Sequence, residues 1–599
     1  MFFSVRTRCL RGPAFLAAGL AVACGAFSLA SRPNSAQRSL SVPIAEKHLD
    51  LEIRRPPARV APGPMLRVMQ LELERSMREL RSRAKAAPYY LSYDVADVRS
   101  VEVAASLGAL VSSSDDHIRS LDVDIRVGSP ELDNTRLLRG EDNQSHYVAT
   151  HAWLPLDDDP ESVRSRLWLY THRDYERAME DLVRVKANQE IKVAQEDTSA
   201  DFSQEKPIRL SEAPASLVVD RKAWETRVKG YSGMFTEYAE VHTSSVEFST
   251  MAETRYFANS EGSGVQVSRV EADLTVSASA TAADGMHLER REVLSARSAQ
   301  ELPSDETIRA TVRKVIEDVR ALRRAPQVEP FTGPAILDGR AAAVFFHEIF
   351  GHRVEGQRQK NEEEGQTFTR KIGQRILPEF LNVYDDPTVF SLNRIALSGH
   401  YLVDDEGVPA ERAPLIQAGV FTGFLMSRSP IRGFTRSNGH GRRELGYRAV
   451  ARQGNLIVDP SRTTTPQGLK QLLLEEISKQ HKPFGLRFTE IVGGFTNTSR
   501  GAAQAFKVLP VMVYKVFPNG SEELVRGGDL EGTPLTVLSR IIAAANDFQV
   551  FNGVCGAESG WVPVSAVSPS LLLSQIEVAR RQKEQDRPPL LPPPMPPHK

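Results

Sequence analysis

The chain has 599 residues, 41% hydrophobic and 25% charged, which is globular in composition and long enough for about two to four packed domains. Seventy-five basic side chains stand against seventy-six acidic ones, a net charge of −1, so no general field draws the protein to nucleic acid or to an anionic membrane surface. A polyanionic partner is therefore not expected.

Arg6, Arg8 and Arg11 precede an Ala/Leu-rich run from Ala14 to Ala30, the pattern of an export signal over residues 1–30. Two ends fit it. "LAVAC" reaches Cys24 as a lipobox would, which predicts a lipid anchor at that cysteine, while "SLA" before Ser31 suits ordinary signal cleavage. Either route predicts a mature protein in the periplasm or cell envelope. No later stretch has the roughly eighteen consecutive apolar residues of a spanning helix. Cys9 and Cys24 lie in the signal and only Cys555 in the body, which excludes a disulfide framework and leaves one thiol to be explained in an oxidising compartment.

Residues 31–64, rich in Pro, Ser and Arg, read as an exposed linker. The segment 65–325 reads as an N-terminal α/β domain. It opens on an amphipathic helix with Leu66, Met69, Leu73, Met77 and Leu80 at three- and four-residue spacing. Around "SSVEFSTMAETRYFANSEGSGVQVSRVEADLTVSASA" the pattern alternates and turns at Asn259–Gly262, as antiparallel strands do. Ser304 then caps a predicted helix with Ile308, Val312, Val315, Val319 and Leu322 on one face. The segment 326–582 reads as a mostly antiparallel β domain with a hairpin turning at Asn519–Gly520, and 583–599 is a Pro-rich tail. The fold class expected is α+β.

The chemistry concentrates in "AAAVFFHEIFGHRVEG", residues 341–356. His347, Glu348 and His352 resemble the H-E-x-x-H of zinc peptidases with one residue added. At about 100° per residue, an i,i+5 pair on a regular α-helix diverges by roughly 140°, so both imidazoles reach one ion only if the winding changes. Gly351 permits such a change, and a wider π-type turn is the expected form. A catalytic zinc usually takes three protein ligands. Cys555, in the Gly-flanked loop "NGVCGAESGW", is the candidate third, with a buried structural thiol as the alternative. Asp404-Asp405-Glu406-Gly407 reads as a turn before a strand. His440, between glycines, reads as a candidate donor to a substrate carbonyl or as a solvated loop residue. Gly493 and Gly494 read as a place where substrate backbone pairs as an added strand, or as a tight bend.

H-E-x-x-x-H at 347–352, "VDDEGVPAER" at 403–412, "SNGHGRR" at 437–443, "IVGGFTNTSRG" at 491–501 and "GVCGAESGWVPV" at 553–564 together resemble the TldD/PmbA metallopeptidase family. The resemblance covers roughly residues 220–580. It implies an N-terminal α/β domain and a mostly β C-terminal domain, and a dimer with itself or with a paralogue. It also implies zinc on His347, His352 and Cys555, Glu348 as the catalytic carboxylate, and peptides or unfolded chains as substrates. The intact motif resembles the catalytic, TldD-like branch. Members are generally cytoplasmic, so the export signal is a departure. The alternative is a non-catalytic envelope protein of the same family that works through its dimer surface.

Overall fold

Long alternating stretches of the first half form one extended antiparallel sheet in the computed structural model, which describes residues 49–54, 60–139, 144–191, 197–364, 367–496, 498, 506–581 and 591. The export signal with Cys24, most of the 31–64 linker, and the Pro-rich tail apart from Leu591 lie outside the described residues. Helix α1, Pro64–Arg83, buries the expected stripe of Leu66, Met69, Leu73 and Met77. Strands β1, Pro88–Ser106, and β2, Ala109–Ser129, pair antiparallel across a two-residue turn, in which Leu107 and Gly108 both take positive φ. This is the twist that tight hairpins favour. Helix α2 spans Pro160–Ile191 and α3 spans Arg221–Ser232. Strand β3, Thr243–Asn259, then pairs with both β1 and β4, Gly264–Thr281, and β5, His287–Ala296, adds to β4. The turn between β3 and β4 falls at the predicted place. There Asn259 Oδ1 accepts the backbone N–H groups of Glu261 and Ser263 at 3.2 and 2.9 Å, and Gly262 takes positive φ.

Two sets of helices cover this sheet. Helices α1 and α2 pack on Leu91, Tyr93, Val95, Leu121 and Val123. Helix α4, Asp305–Arg324, packs with α3 on Val101, Phe248, Leu274 and Val276, and the Trp224 and Phe248 rings stack at 3.8 Å. Ser304 caps α4, its hydroxyl accepting the Thr307 N–H at 3.3 Å. Each of these large apolar side chains contributes about 1.5–3 kcal/mol by leaving water.

In the second half, β6, Phe331–Leu337, is followed at once by α5, Gly339–Ile349. Two sheets enclose α5. One holds β7, Leu381–Asp385, β8, Ala413–Gln417, and β9, Asn455–Pro460, and ends on the hairpin whose edge strand carries Cys555. The other joins β6 in parallel to β10, Gly485–Thr496, and runs on through β11, Phe506–Val516, and β12, Gly528–Gly532. The two remaining long strands of the six-stranded sheet are β13, Gln549–Ala557, and β14, Gly560–Ser568. Strand β15, Leu571–Arg580, pairs with both β12 and β6, so the other sheet closes into a ring. The Asn519–Gly520 hairpin forms at the end of β11, with Gly520 at positive φ.

One short element departs from the sequence reading. Leu51–Ile53, inside the stretch expected to be a bare linker, pairs antiparallel with Val389–Leu392. The local composition is polar, but an unpaired sheet edge at 389–392 offers backbone partners, and Leu51 packs beside Val389 and Leu392.

Candidate metal centre

Helix α5 is buried along its length from Ala341, as a helix held between two sheets must be, and it is apolar apart from Arg340, His347 and Glu348. Every residue from Ala341 to Ile349 is buried, and Phe345 meets Phe506 edge-on at 5.8 Å between ring centroids. This packing fixes His347 and Glu348 at the last turn of α5. The helix stops at Ile349 and a 3₁₀ turn, Gly351–Arg353, carries His352. The wider π-type turn anticipated from the spacing is thus replaced by a tighter one. Gln453 supplies the reason. Its side chain lies against Gly351, where a β-carbon would collide with it, and its Nε2 donates to the His347 carbonyl at 3.4 Å. Carbonyls in the last turn of a helix lack internal donors, so this bond caps the break. The His347 and His352 rings end 5.0 Å apart between centroids.

Cys555 comes from a distant part of the chain, on β13 opposite Val562 of β14. Its Sγ lies 3.4 Å from His352 Nε2, and donor atoms of His347, His352 and Cys555 all lie within 4.8 Å of one another. Burial raises the Cys555 thiol, but His352 and His347 outweigh it and hold the thiol well below the usual cysteine range. Burial likewise opposes charge on His352, while the Cys555 sulfur and the Glu355 carboxylate hold the imidazole well above its ordinary value. His347 Nδ1 is buried with no hydrogen-bond partner among the described residues. An orphaned ring nitrogen beside a thiolate-prone sulfur and a second imidazole fits a divalent cation of borderline softness.

Around these donors lies a shell that the sequence reading missed. Glu355, with no exposed surface, reaches His352 Nδ1 at 3.3 Å and accepts from Arg358 Nε at 2.8 Å. Burial raises its carboxyl, but Arg358 and His352 pull it down to about 2, so it is ionised. Arg452, also fully buried, donates Nη2 to the Cys555 carbonyl at 2.6 Å and places Nε 3.5 Å from Glu355. One side chain therefore braces both the cysteine strand and the histidine's carboxylate. The signal for Glu355 was its place three residues after His352, whereas nothing local marks Arg452.

Glu348 is buried at 8% exposure and stands outside the three-donor group. Its side chain lies against Gly494 of β10. A β-carbon there would come within 3.0 Å of Glu348 Cγ and 2.9 Å of the Lys507 carbonyl oxygen. Gly494 thus makes room for the carboxylate, and the pairing of β10 with β11 is irregular from Ile491 to Gly494. At Gly493 a β-carbon would meet no neighbour. Arg353 donates to the Glu348 carbonyl at 3.4 Å and to the Thr496 hydroxyl.

His440 is not brought to this centre as a free loop donor. It has no exposed surface, its Nδ1 lies 2.9 Å from Asn438 Oδ1, and its Nε2 lies 3.3 Å from Asp385. Asp404–Gly407 forms the expected turn, with Gly407 at positive φ and Asp404 Oδ1 accepting the N–H groups of Glu406 and Val408 at 3.0 and 2.9 Å.

A buried His, His, Cys group beside a helical glutamate is a donor set suited to a divalent cation with an acid–base group at its side. Residues 331–580 match the family model described as the PmbA/TldA metallopeptidase C-terminal domain. Residues 331–580 thus belong to the TldD/PmbA family as its C-terminal domain. The chain is 28% identical over 230 residues to the metalloprotease MJ0996 of Methanocaldococcus jannaschii, an alignment covering 38% of this chain and 47% of that one. It is 27% identical over 248 residues to a metalloprotease TldD homolog of Haemophilus influenzae, covering 41% and 48% respectively. The chain thus spans about half the length of these two relatives. The crystal structure of TldE from Thermococcus kodakarensis shares the fold at a TM-score of 0.55 and 15% identity, covering 86% of this chain and all of that one. Relatives named as metalloproteases imply a metal ion.

Proposed function

We propose that this chain is a zinc peptidase that cuts extended or unfolded peptides. The observation that carries the reading is the convergence of His347, His352 and Cys555, with Glu348 next to them but outside the donor group. His347, His352 and Cys555 would hold the ion, and zinc when bound supplies Lewis acidity to a peptide carbonyl. Glu348 then takes the proton of the attacking water and returns it to the leaving amine. Its neighbour Gly494 leaves the carboxylate space, and the Arg353 bond to its carbonyl fixes the backbone beneath it. Glu355 holds the His352 ring by Nδ1, which turns Nε2 towards Cys555. Burial of all four groups keeps bulk water from competing for the proton. The same reading includes export through residues 1–30, a lipid anchor at Cys24 as one of two mature forms, and a dimer with itself or with a paralogue, supported by the sequence pattern and the family resemblance.

The test separates metal from proton transfer. Glu348→Gln keeps the size of the side chain but cannot take a proton, so zinc stays while cleavage of an unfolded casein-like chain falls by about 10²–10⁴-fold. His347→Ala loses zinc and cleavage together. Near-native cleavage by Glu348→Gln protein rejects the assignment.

A further inference from the structure

A cavity of about 370 Å³, in the size range of pockets that enclose small ligands, lies outside the three-donor group and is lined in part by Gln357, five residues after His352. Its wall carries five cations, Arg126, Arg136, Arg139, Lys360 and Arg448, and four carboxylates, Asp201, Glu362, Glu363 and Glu406. Four of the cations are matched. Arg126 reaches Asp124 at 3.1 Å and Asp133 at 3.2 Å, Arg136 and Lys360 share Asp201 at 2.8 and 3.1 Å, and Arg139 meets Glu362 at 3.1 Å. Arg448 is the exception. Its backbone N–H donates to the Tyr147 carbonyl at 2.7 Å, but among the described residues its guanidinium has no carboxylate, carbonyl or hydroxyl partner. Glu406, also on the wall, already accepts the Arg428 N–H at 2.6 Å, and burial pushes it up to about 7. The cavity therefore offers one planar cation with no hydrogen-bonded acceptor among the described residues, the buried Asp174 being the carboxylate whose charge it feels, and Ser427 and Ser429 also line the wall.

It is also wired to the metal centre. Gln357, on the cavity wall, donates to Glu558 Oε1 at 2.9 Å, and Glu558 Oε2 takes Arg358 Nη2 at 2.9 Å. Arg358 in turn bonds Glu355, the carboxylate that faces His352. A ligand that touches Gln357 is thus linked to His352 through Glu558, Arg358 and Glu355.

The geometry points to a carboxylate-reading subsite, in which Arg448 receives a carboxylate of the peptide being cut. This inference rests on the peptidase reading. One free guanidinium matches one monoanion in charge, and its fork of N–H donors matches the two oxygens of a carboxylate. A phosphate dianion would need a second free cation, which the described wall does not provide. The carboxylate has two sources, the peptide's C-terminus or an Asp or Glu side chain.

The test uses metal-loaded full-length protein carrying Glu348→Gln, so that bound peptide is not consumed, and one fluorescent extended peptide made in four forms. Its C-terminus is acid or amide, and one internal residue is Glu or Gln. We expect the reading form to bind about ten-fold or more tightly than its amide counterpart, as for a hydrogen-bonded charged pair. Adding Arg448→Gln abolishes that preference and Arg448→Lys keeps part of it, both with unchanged metal content and melting temperature. The acid and Glu arms tell the two sources apart. Equal affinity for all four peptides overturns the proposal, as does a preference that survives Arg448→Gln in the folded protein. Inorganic phosphate competing as well as the best peptide also overturns it. Binding does not require turnover, so carboxylate preference without cleavage by the unmodified protein rejects the peptidase reading alone, while cleavage without preference rejects only the subsite.

Discussion

Two buried histidines in the second half differ in a way that separates a candidate ligand from a strut. His352 and His440 are 7% and 0% exposed, and each has a ring nitrogen 3.3 Å from a buried carboxylate, Glu355 or Asp385. Their other nitrogens part company. His352 Nε2 faces the Cys555 sulfur at 3.4 Å, whereas His440 Nδ1 is taken by oxygens of Asn438 at 2.9 and 3.0 Å. Burial and a carboxylate partner are common to both regions, so neither identifies a metal site. What sets the candidate site apart is a second nitrogen turned to a soft donor, with a third donor, His347, left without a hydrogen bond at Nδ1 among the described residues.

The largest expected effect removes that soft donor. Cys555→Ser protein should bind less than a tenth of the metal held by the unmodified chain at low free zinc, read by elemental analysis after dialysis, because an alcohol does not ionise as the thiol does. Stoichiometric zinc in that variant would erase the distinction drawn between the two histidines. A middle-sized effect comes from the carboxylate paired with His352. Glu355→Gln leaves the His352 ring less firmly oriented and should weaken metal affinity by about 10–100-fold in a chelator competition, with the ion still bound at saturating zinc. The smallest effect on metal belongs to His440. His440→Ala should keep full metal content and instead lower stability by about 2–4 kcal/mol in urea unfolding, since it opens a cavity and strips Asp385 of a partner. Loss of metal in that variant, with its fold intact, would make His440 part of the centre.

The legible parts of the fold were those whose signals are local. Helix α4 could be read from Ser304 and five apolar residues on one face, because capping and periodicity act within one turn or along one stripe. The turns at Asn259–Gly262 and Asn519–Gly520 were legible because a positive φ favours glycine wherever it occurs. The strand Leu51–Ile53 was not, since its partner is more than three hundred residues away and its own composition is that of a linker. At the centre, His347, Glu348 and His352 could be read from spacing, but the winding between them was misjudged. The residue that decides it, Gln453, arrives from another segment and fills the space beside Gly351.

By itself the sequence determined the balance of strands and helices, the helix that carries His347 and Glu348, and the presence of one body thiol, because composition, periodicity and residue chemistry are properties of the chain. Only the tertiary structure decided which distant groups meet. It brought Cys555 on β13 to His352 across 203 positions, placed Arg452 between that strand and Glu355, and set Gly494 against Glu348. It also turned His440 inward to Asp385 and left the Arg448 guanidinium on the cavity wall with no hydrogen-bonded acceptor among the described residues. These outcomes follow from how two sheets close around α5, and close packing fixes such neighbours through long-range contacts that no local window contains.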